Sequence, residues 1–168
     1  MNLPYGYELP EEQRGGTLIY YDVFEGTLDA ELHRAVAVRD ALAFDRLVLY
    51  PLHEETVRRM TGEKVSAYYR RADRLHDWKR HSSHAGVIVE GLEGKRKKYT
   101  PIDSALRHLV DAYKGPYFLY LTPDMANLFA SFSSFEEWIR KLRLVLTAEP
   151  KSLHPRLEKY RHRWDVPS

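Results

Sequence analysis

The residues with the most chemical content stand in "YYDVFEGTLDAELH". Asp22 and Glu25 offer carboxylates, Gly26 and Thr27 a turn with backbone N–H groups, and His33 an imidazole shortly inside the helix that follows. Carboxylates can hold a divalent ion, turn amides and cations neutralise phosphate, and an imidazole can stabilise charge on a transferring phosphoryl group. Further along, Lys95-Arg96-Lys97-Lys98 is a run of four cations, and Thr122 ends the apolar run "YFLYLT". The chemistry this set suits is binding of a small phosphorylated ligand. The candidates are His33, Asp22 and Glu25 as catalytic groups and Gly26, Thr27, Lys95, Arg96 and Thr122 as phosphate holders, with Mg2+ accompanying a nucleotide. Helix caps, a turn glycine and surface acids would also be present if the stretch only connected a strand to its helix.

Those residues need elements to position them, and the apolar pattern supplies a frame. Four runs without polar alternation predict strands near residues 17–23, 46–51, 86–90 and 117–122, each buried on both faces. Between them lie helical patterns. One follows Asp29, and a short one starts near His53. A third has Val65, Tyr68, Ala72, Leu75 and Trp78 inward and its arginines outward. Thr100-Pro101-Ile102-Asp103 opens the best-defined helix, and Thr122-Pro123 opens a short one by the same device. Ser134 to Glu137 reads as a capping box for a last main helix, with Trp138, Ile139, Leu142, Val145 and Leu146 inward and Pro150 at its end.

Alternating strands and helices predict a three-layer, Rossmann-like α/β fold with a mostly parallel sheet of about four strands. Residues 1–168 read as a single domain, with 1–16 an irregular N-terminal segment and 151–168 a basic tail that packs through Leu157, Tyr160 and Trp164. Ligands of open parallel sheets bind outside the carboxyl ends of the strands. Asp22, Glu25 and His33 are therefore expected to converge on that rim, together with Thr122 and part of Glu90 to Lys98.

Composition narrows the classes. There is no cysteine, so disulfides, thiolate metal sites and thiol nucleophiles are excluded, in keeping with a reducing cytoplasm. The N-terminus lacks the basic start and apolar core of a signal peptide, and no run approaches membrane-spanning length, which predicts no membrane partner. The formal net charge of +2 gives no global field for nucleic acid, and the local cation clusters are more in character as solvated surface. His76, His81 and His84 lie close in "RLHDWKRHSSH", but helical spacing turns His76 and His81 to different faces, so no metal site is expected there.

The stretch of residues 18–51 resembles the HIGH-type nucleotidylyltransferase superfamily. Its members open with a strand, a G-x-F-D-like turn and a histidine at the start of a helix that ends in Phe-Asp before the second strand. Phe24-Glu25 stands near the Phe-Asp turn position, His33 is placed like the second histidine, and Phe44-Asp45 closes the helix at matching spacing. The resemblance implies a Rossmann-like fold, with the histidine stabilising charge on a nucleotide during transfer. Departures are equally plain: Glu31 holds the first histidine position and Leu32 the glycine position, and "SSFEEWIR" is two residues longer than the family's Ser-Ser-to-Arg segment. A degenerate or inactive relative fits these residues as well as an enzyme does.

"IYYDVFEGTLD" is also similar to the opening motif of haloacid-dehalogenase-like phosphatases, with one residue inserted between its two acids. A non-catalytic interaction domain is the alternative from another class, since 12 Tyr and 3 Trp supply interface anchors. Nucleic-acid binding through the arginine-rich helix and the Lys95 run is a further alternative.

Overall fold

A computed structural model describes the chain from residue 15 to residue 167. The predicted irregular segment 1–16 thus lies almost wholly outside the described residues. Six strands form one sheet: β1 (Thr17–Asp22), β2 (Arg46–Pro51), β3 (Val87–Val89), β4 (Tyr117–Leu121), β5 (Arg143–Leu146) and β6 (Trp164–Asp165). Their order is β3-β2-β1-β4-β5-β6, and every neighbouring pair is parallel. β1 is central because its side chains are apolar or aromatic on both faces: Leu18, Ile19 and Tyr21 have no exposure and Tyr20 has 2%. A strand of this kind is stable only between two others and two helical layers.

Eight α-helices connect the described strands. α1 (Asp29–Ala41) and α3 (Tyr68–Ser82) pack on one face, where Leu32, Ala35, Val36, Leu75 and Trp78 meet Leu18, Tyr20, Leu47 and Leu49. α2 (Glu54–Thr61), α5 (Ile102–Ala112), α6 (Pro123–Ala130), α7 (Phe135–Ile139) and α8 (Pro155–Lys159) place apolar residues in the core of the other face with Ile19, Tyr21, Val48 and Leu119. The short α4 (Leu92–Arg96) follows β3.

The fold is the predicted three-layer one, with six strands in place of about four. The last main helix expected from Ser134 to Pro150 is instead α7, a short link and β5. Residues at 138, 139, 142, 145 and 146 satisfy a helical stripe. A strand buried on both faces also needs apolar side chains throughout, and beside β4 the run "RLVL" gains a full ladder of hydrogen bonds. The capping box is not formed, since Ser134 makes no side-chain bond to the α7 backbone. The tail packs as expected, with Leu157, Tyr160 and Trp164 buried, but ends in the edge strand β6.

Candidate functional site

The turn after β1 is held by its own polar groups. An oxygen of Asp22 accepts the Phe24 N–H at 3.0 Å. This bond holds Phe24 at φ 61°, a left-handed conformation that costs a non-glycine residue about 1 kcal/mol. The ring is repaid by packing edge-on against Tyr20, which meets Tyr120 in the same way, both at 4.8 Å between ring centres. Gly26 also has positive φ, 65°, and faces open space, so its backbone conformation is what calls for glycine. Burial pushes the Asp22 carboxyl up to about 6 against the pull of the Phe24 and Val23 N–H groups, with Glu31 adding to the rise.

Glu25 turns away toward α3. It accepts the backbone N–H and hydroxyl of Ser66, at 3.2 and 2.8 Å, and lies 3.7 Å from Arg71 Nε. Arg71 is the unforeseen residue of this region. It sits on the helix whose arginines were expected outside, yet its side chain is only 3% exposed. The guanidinium donates to the carbonyls of Val23 (2.7 Å), Leu52 (2.5 Å) and Ser66 (3.0 Å), pinning the chain beyond β1 and β2 to the loop before α3. Among the described residues its Nη2 has no hydrogen-bond partner.

Connections leave β1 toward β2 on one side and return to β4 on the other, so direction reverses between β1 and β4. At that switch point a crevice of about 340 Å³ is lined by Tyr20, Tyr120, Thr122 and Thr147 and by Leu28, Glu31 and Arg34 at the start of α1. Thr122 and Ala148 also border a second hollow with Asp124, Asn127, Glu149 and Lys151. Ion pairs on α1 join Arg39 to Asp40 and Asp29 to Arg74. Among the described residues Arg34 and Glu31 enter none. Both act on the phenols of Tyr20 and Tyr120, whose pKa burial raises first, Glu31 raising it further and Arg34 opposing. Leu28, the residue before α1, gives no side-chain cap, so the first N–H groups of α1 lack a side-chain acceptor.

The expected convergence is realised only in part. Asp22, Gly26 and Thr27 lie in the turn between Tyr20 and Leu28 but do not line the crevice, whereas Thr122 lines it while capping α6 through the Met125 N–H at 3.2 Å. His33 does not join them. Its Nδ1 lies 3.3 Å from His84 Nε2, and its ring packs edge-on near Trp78 of α3. α1 begins at Asp29, and two residues along a helix rotate by about 200°, so Glu31 in the crevice puts His33 on the opposite flank.

Lys95 and Arg96 are exposed on α4, beside β3, three strand spacings or about 14 Å from β4. What α4 sends inward is Glu93, which accepts the Tyr50 hydroxyl at 2.6 Å and the His53 N–H at 2.8 Å. Ser133 and Ser134 stand before β5, away from the crevice. Arg34 was legible in principle, one turn into the helix from Leu28. Thr147 was hidden once β5 had been read as helix.

No three His, Asp or Glu side chains among the described residues converge as a metal site. Asp22 is turned to its own backbone, so the crevice offers no dedicated Mg2+ cage. No helix among the described residues is long and apolar enough to cross a membrane.

The strand order defines a Rossmann-like fold, the fold that the resemblance of residues 18–51 implies. Comparison with solved structures gives the particulars. Nicotinic acid mononucleotide adenylyltransferase of Plasmodium falciparum, complexed with NaAD, superposes with a TM-score of 0.68 at 13% identity, over 91% of this chain and 74% of that one. A Vibrio parahaemolyticus protein assigned as a nicotinate-nucleotide adenylyltransferase superposes with a TM-score of 0.57 at 17% identity, over 88% and 85%. No family model and no curated protein matches the sequence.

Proposed function

We propose that the switch-point crevice binds a phosphorylated ligand of the nucleotide class, with Arg34 neutralising phosphate. The observation that carries this reading is Arg34 itself, a guanidinium outside any ion pair among the described residues, lining a concave site beside two phenols and two threonine side chains. Arginine matches phosphate geometry with paired donors. The structural likeness to an adenylyltransferase complexed with NaAD supports the ligand class. Mg2+ would enter already bound to the ligand's phosphates. The absence of cysteine supports the cytoplasm as its compartment.

The reading is of a binding site first. With His33 facing His84, no imidazole among the described residues lines the crevice, and nucleotidyl transfer is expected to be slow or absent. The parting of the two acids speaks against the phosphatase alternative: Asp22 accepts the Phe24 N–H while Glu25 turns to Ser66 and Arg71.

Calorimetric titration with AMP and with ATP plus Mg2+ tests the proposal. Binding is expected in the wild type, weakened by about tenfold in Arg34→Ala. It should be unchanged in Arg70→Ala, which removes an exposed arginine of α3. Equal binding by wild type and Arg34→Ala would reject the crevice.

A further inference from the structure

The acids around the crevice bear on which nucleotide it takes. Glu31 lines it directly, and Asp124 and Glu149 line the adjoining hollow, against two cations, Arg34 and Lys151. Three carboxylates thus face two cations, and Asp22 lies close enough for Glu31 to raise its pKa further. Thr122 already occupies the Met125 N–H at the start of α6, and Asp124 adds its charge to that first turn. A crevice of this composition can neutralise one phosphate at Arg34. Further phosphates would lie beside the half-buried Glu31 and the exposed Asp124 and Glu149, where like charges at close range repel even in a solvent-open crevice.

We propose that the site selects a nucleoside monophosphate over a free triphosphate, with Glu31 as the residue that sets the limit on ligand charge. This rests on the crevice being the ligand site. Glu31 acts by position: half-buried, one turn before Arg34 on the same helix, and beside the same two phenols. It favours a ligand that presents a single phosphate to Arg34 and a neutral ring to Tyr20, Tyr120 and Leu28.

The test is a set of calorimetric titrations with adenosine, AMP, and ATP with and without Mg2+, on the full chain and on Glu31→Gln. AMP is expected to bind about tenfold more tightly than Mg2+-free ATP. Mg2+ should narrow the gap by cancelling phosphate charge, and adenosine should bind more weakly than AMP. Glu31→Gln, which keeps the side chain's size, should bring free ATP to within about twofold of AMP. Free ATP binding as tightly as AMP in the wild type would overturn the charge limit and leave the crevice reading intact. An unchanged AMP preference in Glu31→Gln would overturn the role of Glu31. Failure of every nucleotide to bind would remove the crevice reading and this inference with it.

Discussion

Arg71 shows how a single side chain can hold the candidate site's frame while looking, in sequence, like one surface arginine among several. Helical spacing put the arginines of residues 70–80 outside, which holds for Arg70, Arg74 and Arg80. At Arg71 the carbonyls of Val23 and Leu52 beyond β1 and β2, and of Ser66 before α3, reward burial, and no periodicity reports where those carbonyls lie. Arg71→Met should cost about 3 kcal/mol, because it leaves those carbonyls without their donor. A urea midpoint lowered by that amount at unchanged slope is the expected result, and a loss below about 1 kcal/mol would contradict the role.

Asp22 makes a second prediction at this scale, and its sign follows from its raised pKa. The folded protein keeps the proton up to about pH 6, whereas an ordinary aspartate releases it at 3.8. The stability this adds is complete below about pH 4 and is lost as pH rises through 6. Asp22→Asn, which can still accept the Phe24 N–H, should therefore gain about 2 kcal/mol relative to wild type between pH 4 and pH 7. A pH-independent difference between the two proteins would show that Asp22 titrates normally.

Among the elements, the structure uses one of the three helix-start devices that the sequence offers: at Thr100-Pro101 the residue before α5 is Pro101 itself, with no side-chain bond to the helix, and the Thr100 hydroxyl donates to the Lys98 carbonyl instead. Thr122-Pro123 works as read, with the threonine oxygen accepting the Met125 N–H. Ser134 to Glu137 has the letters of a capping box but not its bonds, because α7 is one short turn cut off by the approach to β5. Thr122→Ala should thus cost about 1 kcal/mol and Ser134→Ala less than about 0.5 kcal/mol, compared by denaturant unfolding. Equal losses would mean that both caps form. β1 to β4 were legible from their apolar runs, and α5 from the stripe of Ile102, Ala105, Leu106 and Leu109 rather than from its expected threonine cap. β5 was not, since an apolar stretch of that length satisfies both periodicities until a neighbouring strand is known.

For the molecule as a whole, the parallel order around β1 decides which loops can meet. The sequence correctly brings the turn after β1 and Thr122 to one rim, because β1 and β4 are neighbours. It cannot show that Lys95 and Arg96 follow the far strand β3, nor that α1 turns Glu31 and Arg34 into the crevice and His33 out of it. Both depend on strand order and helix rotation, which are properties of the assembled sheet. The consequence is a Rossmann-like fold whose crevice is lined by Glu31 and Arg34, with His33 outside it.

Backbone amide NMR during titration with AMP reports most directly whether that crevice is where a ligand sits. The account predicts that shifts concentrate in Thr27 to Arg34, Thr122 to Met125 and Thr147 to Lys151, the three segments lining the crevice and its adjoining hollow. Shifts centred instead on Arg58, Arg59 and Lys95 to Tyr99, with the crevice silent, would contradict it and place the anion site on the basic surface of α2 and α4.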